Sequence, residues 1–280
     1  MPDKPTIALL YDFDKTLCTK DMQEYSFIPK VNMSADDFWR EATDLAKTEK
    51  MDGVLAYMYL MLEKSRDVRQ PIHRKDFVEL GKDLEFFPGV EQWFNRINQV
   101  GEQLETNVEH YIISSGLKEI IEGSKIYDAF QEVFACEFYY DFNGIACWPK
   151  NAVNYTTKTQ FLFRINKGVL DISNDRDLNK FTLEEDRPIP FRNMIYIGDG
   201  LTDVPCMKLV KVNGGHSIAV YQDGGKEKVN ELLKAERVDF LTQADYTENS
   251  ELDLTVKDMI CKMTIADKLH RKSKNQMWDL

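Results

Sequence analysis

Asp12 and Asp14 stand on alternate positions directly after Ile-Ala-Leu-Leu-Tyr at 7–11, a nearly unbroken apolar run. Such a run fits a short strand buried on both faces of a parallel sheet. With the backbone extended, residues two apart point to the same side, so the two carboxylates crowd one another where the strand ends. Crowded carboxylates at a buried strand end are costly unless a cation lies between them, and a hard divalent ion such as Mg2+ accepts their oxygens. Taken alone, the pair could equally be an acidic, solvated turn. Three further stretches carry reactive side chains: Ile112-Ile-Ser-Ser-Gly116, Lys158 in Thr156-Thr-Lys-Thr-Gln160, and Met194-Ile-Tyr-Ile-Gly-Asp-Gly-Leu-Thr-Asp203. Asp12, Asp14, Ser114 and Asp199 all lie just past the carboxyl end of an expected strand. Ligands of an open parallel sheet bind beyond those ends, so this spacing brings the four to one edge.

In this order, over residues 12–203, the four stretches resemble the four motifs of the haloacid dehalogenase-like phosphotransferase superfamily, in its phosphoserine phosphatase-like branch. The resemblance implies an α/β fold, a doubly wound Rossmann-like parallel sheet carrying a smaller helical cap domain. It also implies Mg2+-dependent hydrolysis of a phosphomonoester through an aspartyl-phosphate. On that basis Asp12 matches the nucleophile and Asp14 the general acid. Asp12, Asp199 and the backbone carbonyl of Asp14 match the Mg2+ ligands. Ser114 and Lys158 match the groups that bind the phosphoryl oxygens, and Asp203 matches an acid that orients metal waters or Lys158. Ser115 can take the place of Ser114, and Lys167 is the rival of Lys158. The Gly-Asp-Gly segment and Asp203 read equally well as turn and helix-cap residues.

The dehalogenating members of the superfamily lack the second Asp, so Asp14 favours phosphate ester hydrolysis. Transfer to another acceptor, as in mutases, and a binding protein without turnover are the alternatives. Asp21 follows Asp12 by nine positions, where phosphoserine phosphatases carry a Glu that holds the substrate's ammonium group. Here the side chain is shorter, and Asp21 could instead cap the helix-like stretch 22–27.

These residues need elements to hold them. Residues 18–85 show helical periodicity: Ser34 is an expected N-cap for a helix burying Phe38, Trp39, Ala42, Leu45 and Ala46. Residues 54–62 are apolar nearly all round, and 74–82 read as a further helix. Helical spacing assigns Phe38, Trp39, Tyr57 and Tyr59 to packing. The expected organisation is a core of residues 1–17 and 86–280 with a cap of residues 18–85. In the core, Pro88 fits the first turn of a helix with the stripe Val90, Trp93, Phe94 and Ile97. Strands are expected at 109–113, 133–139, 145–148, 194–197 and 217–221, with Asn143-Gly144 at a hairpin tip. Helices are expected at 117–123, 158–165 and 205–210, a long polar insertion at 168–190, and helical stretches from Glu227 on.

The 280 residues hold 36 Lys and Arg against 47 Asp and Glu, a net charge of 36 − 47 = −11. That argues against nucleic acid and anionic membrane as partners, and the small phosphorylated metabolite that the resemblance implies must be drawn in by local charge, a metal and lysines, against the overall field. No apolar run approaches the ~20 residues of a membrane span, and residues 1–10 lack a signal-peptide pattern. Five scattered cysteines show no zinc spacing and read as reduced thiols of a cytoplasmic protein. Composition leaves the oligomeric state open.

Overall fold

Residues 7–11 are fully buried because they form β1 (Thr6–Tyr11), the central strand of a seven-stranded sheet in the computed structural model, which describes residues 4–25 and 27–278. After β1 come five helices: α1 (Met22–Tyr25), α2 (Phe27–Lys30), α3 (Ala35–Glu49), α4 (Gly53–Asp67) and α5 (Arg74–Leu80). The chain returns through α6 (Val90–Gln103), β2 (Asn107–Leu117), α7 (Lys118–Glu122) and the hairpin of β3 (Glu132–Tyr140) and β4 (Ala146–Asn151). It continues through α8 (Lys158–Lys167), α9 (Asp175–Asn179), β5 (Met194–Gly198), α10 (Val204–Val212) and β6 (His216–Tyr221). Last are α11 (Lys226–Lys234), β7 (Phe240–Gln243) and α12 (Glu251–Trp278). No helix among the described residues is long and apolar enough to cross a membrane.

The strand order is β4-β3-β2-β1-β5-β6-β7, parallel throughout except at the β3–β4 hairpin. From β1 the chain builds outward through β2 and β3, then crosses back to add β5, β6 and β7 on the other side. The direction of winding therefore reverses between β1 and β5, the crevice where such sheets bind ligands. The register makes this concrete: Tyr11 lies opposite both Ile112 and Ile197, so the residues after each share one edge.

Local chemistry explains most boundaries. Ser34 Oγ accepts the Asp37 N–H at 3.1 Å and starts α3, which buries Phe38 and Ala42. Asp52 caps α4 in the same way. Three expectations are corrected. Tyr59 is 47% exposed, because α4 turns one face to solvent, so Tyr59 is not a packing residue. Pro88 stands before the N-cap and not in the first turn of α6, which starts at Val90 behind a left-handed Gly89. Residues 227 onward are not helical throughout, since β7 joins the sheet beside β6. The polar insertion at 168–190 contains α9, and buried Arg164 holds it by donating to the Asp171 and Ile172 carbonyls at 2.8 and 3.0 Å. That segment lines a cavity with Thr6, Glu109 and Gln131, at the amino ends of the strands and away from the carboxyl edge.

One close approach fixes the turn after β5. A Cβ on Gly198 would stand 2.6 Å from Asp203 Cγ, whereas one on Gly200 would meet nothing within 4 Å. Gly198→Ala is therefore expected to cost about 1–3 kcal/mol by overpacking. Gly200→Ala should be close to neutral. Denaturant midpoints of the two variants check this, and equal stabilities would contradict it.

Candidate active site

Four side chains meet at the β1–β5 crevice. The Asp12 N–H donates to the Ile197 carbonyl at 2.9 Å, carrying the β1–β5 pairing one residue past β1. The chain then turns with Lys15 at φ 57°, and the Phe13 carbonyl accepts the Leu17 N–H at 2.9 Å and the Cys18 N–H at 3.2 Å. Lys158, the first residue of α8, is fully buried. Its ammonium donates to Asp12 Oδ1 at 2.8 Å and to Asp203 Oδ1 at 2.7 Å. Asp203, also fully buried, accepts the Tyr196 hydroxyl at 2.8 Å. Asp12, Asp199 and Asp203 each place a carboxylate oxygen within 4.8 Å of the others.

Asp14 lies beside this cluster. Its Oδ1 accepts the Met22 N–H at 2.8 Å, so α1 is anchored on it. Its Oδ2 packs against β2 where Gly116 has no side chain; a Cβ there would come within 2.8 Å. Ser114 is fully buried, its Oγ accepting the Gly116 N–H at 3.0 Å. Ser115 lines a cavity of about 260 Å3 together with Asp14. Lys167 is not part of the site: its ammonium donates to the carbonyls of Leu178 and Lys180. Asp21 lines the cavity, and its carboxylate pairs with Lys15 at 2.5 Å. The capping expectation for Asp21 is thus corrected. The left-handed turn at Lys15 brings a cation to it, and only its backbone carbonyl serves α1, accepting the Glu24 N–H at 2.9 Å.

Sequence reasoning missed several residues of this cavity. Tyr57 and Trp39, assigned to packing, line it, and the Tyr57 hydroxyl donates to the Ser115 carbonyl at 2.7 Å. Asn154 donates to Asp52 Oδ2 at 2.8 Å and so ties the loop before α8 to the start of α4. Gln23 also lines the cavity. Helical periodicity marks Trp39 and Tyr57 only as inward-facing, and no local pattern marks Asn154 or Gln23.

The electrostatics follow from crowding. Burial, then repulsion from Asp203, pushes the Asp12 carboxyl up to about 6 despite the attraction of Lys158. Burial, then Asp12 and Asp203, pushes Asp199 up to about 8. Burial, then the charges of Asp21 and Asp12, holds Asp14 well above the usual carboxylate range. Burial works to lower Lys158, but the carboxylates of Asp12 and Asp203 outweigh it and hold the ammonium above its ordinary value. Three clustered carboxylates share one lysine, a surplus of negative charge. Hard oxygen donors at this separation fit a hard divalent cation such as Mg2+.

The family profile described as haloacid dehalogenase-like hydrolase matches residues 9–208. An uncharacterized protein of Borreliella burgdorferi is 30% identical over 91% of this chain and 96% of its own length. Among solved structures, a probable phosphoserine phosphatase from Vibrio cholerae is similar at TM-score 0.60 and 14% identity, over 95% of this chain and 67% of that one. A HAD family hydrolase from Salmonella enterica serovar Typhi is similar at 0.55 and 16%, over 92% and 72%. A phospho-aspartyl intermediate analogue of phosphoserine phosphatase is similar at 0.54 and 14%, over 91% and 99%. At these identities the structural likeness shows a shared fold.

The crowding predicts a pH-dependent stability. In the folded protein Asp199 keeps its proton up to about pH 8, against an ordinary value of 3.8. Between these values the folded state binds more protons than the unfolded chain, so rising pH removes stability. In chelator, Asp199→Asn is expected to melt above the wild type at pH 8, with the difference vanishing towards pH 4. Mg2+ should raise the wild-type Tm at pH 8 more than that of the variant. A variant less stable than the wild type at pH 8 in chelator, or an equal Mg2+ shift, would contradict this.

Proposed function

The chain belongs to the haloacid dehalogenase-like hydrolase family, and on that premise we propose that it hydrolyses phosphate monoesters of small metabolites through a phosphorylated Asp12. The observation that carries this reading is the convergence of Asp12, Lys158, Asp199 and Asp203 at the switch point, with Asp14 beside them. Every reactive type that phosphoryl transfer needs is present there, which favours turnover over a purely binding role.

In the proposed reaction an Asp12 carboxylate oxygen attacks phosphorus in line as the bond to the ester oxygen breaks. Asp14 gives its proton to the departing alkoxide, and its high proton affinity in the free site suits a donor at neutral pH. Asp14, now ionised, then takes a proton from the water that attacks phosphorus, releasing phosphate and restoring the Asp12 carboxylate. Lys158 neutralises charge on the phosphoryl oxygens, helped by Ser114 or Ser115 and nearby N–H groups. Asp203, bonded to Lys158, positions the ammonium. Asp12, Asp199 and the backbone carbonyl of Asp14 are the proposed holders of Mg2+, which when bound neutralises charge on the transferring group.

Residues 18–85 are the proposed cap over a core of 1–17 and 86–280. Two contacts support a role for this segment in admitting the substrate: Tyr57 to Ser115, and Asp52 to Asn154. The first joins α4 to β2 and the second joins the α4 N-cap to the loop before α8, and Ser115 and Asn154 both line the cavity.

With p-nitrophenyl phosphate and Mg2+ the protein is expected to release p-nitrophenol, and to stop in excess chelator. Asp12→Asn should abolish turnover while the fold survives, because an amide is a poor nucleophile. Near-normal rates in a folded Asp12→Asn protein would remove Asp12 from this role. Asp14→Asn should cost roughly a hundredfold or more on alkyl phosphates, which need the proton, and clearly less on p-nitrophenyl phosphate. Equal losses on both esters would contradict general acid catalysis by Asp14.

A further inference from the structure

The cavity beside Asp14 is lined by Asp21, Gln23, Trp39, Asp52, Tyr57 and Asn154 among others, and by no Lys or Arg among the described residues. Its fixed charges are carboxylates. Lys15 is already paired with Asp21 and faces a neighbouring cavity with Asp199. A second anionic group on the substrate would enter here against Asp21 and Asp52 with no cation to receive it.

The hydrogen-bonding groups point the same way. Three donors already bond within the protein: Trp39 Nε1 on Glu24 at 2.9 Å, Tyr57 on the Ser115 carbonyl at 2.7 Å, and one N–H of Asn154 Nδ2 on Asp52 at 2.8 Å. Asp52 is itself well supplied, its other oxygen accepting the N–H groups of Val54 and Leu55 at 2.9 and 3.1 Å. The hydroxyls of Tyr155 and Thr202 accept as readily as they donate and so do not discriminate. One buried acceptor is left over. Gln23 is 2% exposed, and its side-chain oxygen is buried with no partner, alone in this among the described side chains lining the cavity. A buried acceptor without a donor costs about 1–3 kcal/mol, which a ligand donor would recover.

Building on the phosphomonoesterase reading, we propose that this cavity is the leaving-group subsite and that Gln23 is its specificity residue. The leaving group it fits is a carboxylate-free alcohol bearing a hydroxyl or amine that donates to Gln23. A polyol phosphate and an amino-alcohol phosphate share that chemistry. Phosphoserine and other carboxylated esters fit it less well, because their carboxylate enters beside Asp21 and Asp52 with no Lys or Arg among the described residues lining the cavity to balance it. Trp39 and Tyr57, edge to face at 5.8 Å, wall the carbon skeleton.

The test compares kcat/KM for glycerol 1-phosphate and phosphoethanolamine with that for phosphoserine, with p-nitrophenyl phosphate as the reference ester. At least one of the first two is expected to exceed phosphoserine by about tenfold or more, since a site built around one hydrogen bond rejects the wrong partner strongly. Whichever is higher assigns the donor as hydroxyl or amine. In Gln23→Leu the ratio of that ester to p-nitrophenyl phosphate should fall by about tenfold, chiefly through KM. Gln23→Glu keeps an acceptor at the same place and should restore most of the ratio. Phosphoserine equal to or better than both esters, or an unchanged ratio in Gln23→Leu, overturns the inference and leaves the phosphatase reading standing. No hydrolysis of any ester, p-nitrophenyl phosphate included, overturns both.

Discussion

The site depends on one buried ammonium held between two carboxylates. Lys158 touches Asp12 and Asp203 with essentially no access to water, and each of the three arrives on a different element. β1 delivers Asp12, α8 delivers Lys158, and the turn from β5 into α10 delivers Asp203. An unpaired charge in such a place would cost several kcal/mol, so loss of Lys158 would strand both carboxylates. The pairing also leaves Asp199 uncompensated in the same cluster. Positive charge is still wanted at the centre of the site, and a divalent ion and the approach of a phosphoryl group together would redistribute it.

That arrangement requires β1 and β5 to be neighbours, and they are neighbours because the winding reverses there. It also requires two places where main chain replaces side chain. Gly198 lets Asp203 fold back over the end of β5, and Gly116 lets Asp14 lie on the end of β2. Through Met22, Asp14 also fixes where α1 starts, and α1 carries Gln23 to the cavity. The residue proposed to protonate the leaving group thus positions the one proposed to select it. Chemistry and specificity share a support, and neither can shift far without the other.

Much of this is legible in the chain. The apolar run before Asp12, and the one before Asp199, each report a strand buried on both faces, and a parallel sheet then dictates that the residues just past those strands converge. The choice between Lys158 and Lys167 is not legible as physics, since both sit in the same helix; only the docking of α8 sends one to Asp12 and the other to the backbone of 178–180. The pairing of Asp21 with Lys15 depends on a left-handed residue that no local pattern announces. β7, four residues of Phe-Leu-Thr-Gln, is a strand because Val220 and its neighbours in β6 offer it a ladder, not because of its own sequence. The cavity residues are hidden for a related reason. Periodicity reports that Trp39 and Tyr57 face inward, and inward can mean a core or a site.

The central claim is that phosphorus passes through a covalent bond to Asp12. Rapid acid quenching during turnover of p-nitrophenyl phosphate with Mg2+, then peptide mass spectrometry, tests it most directly. The account predicts one added phosphoryl group on the peptide carrying Asp12, located at Asp12 itself and absent when substrate is omitted. A protein that turns over while the phosphoryl group appears on another residue would contradict it.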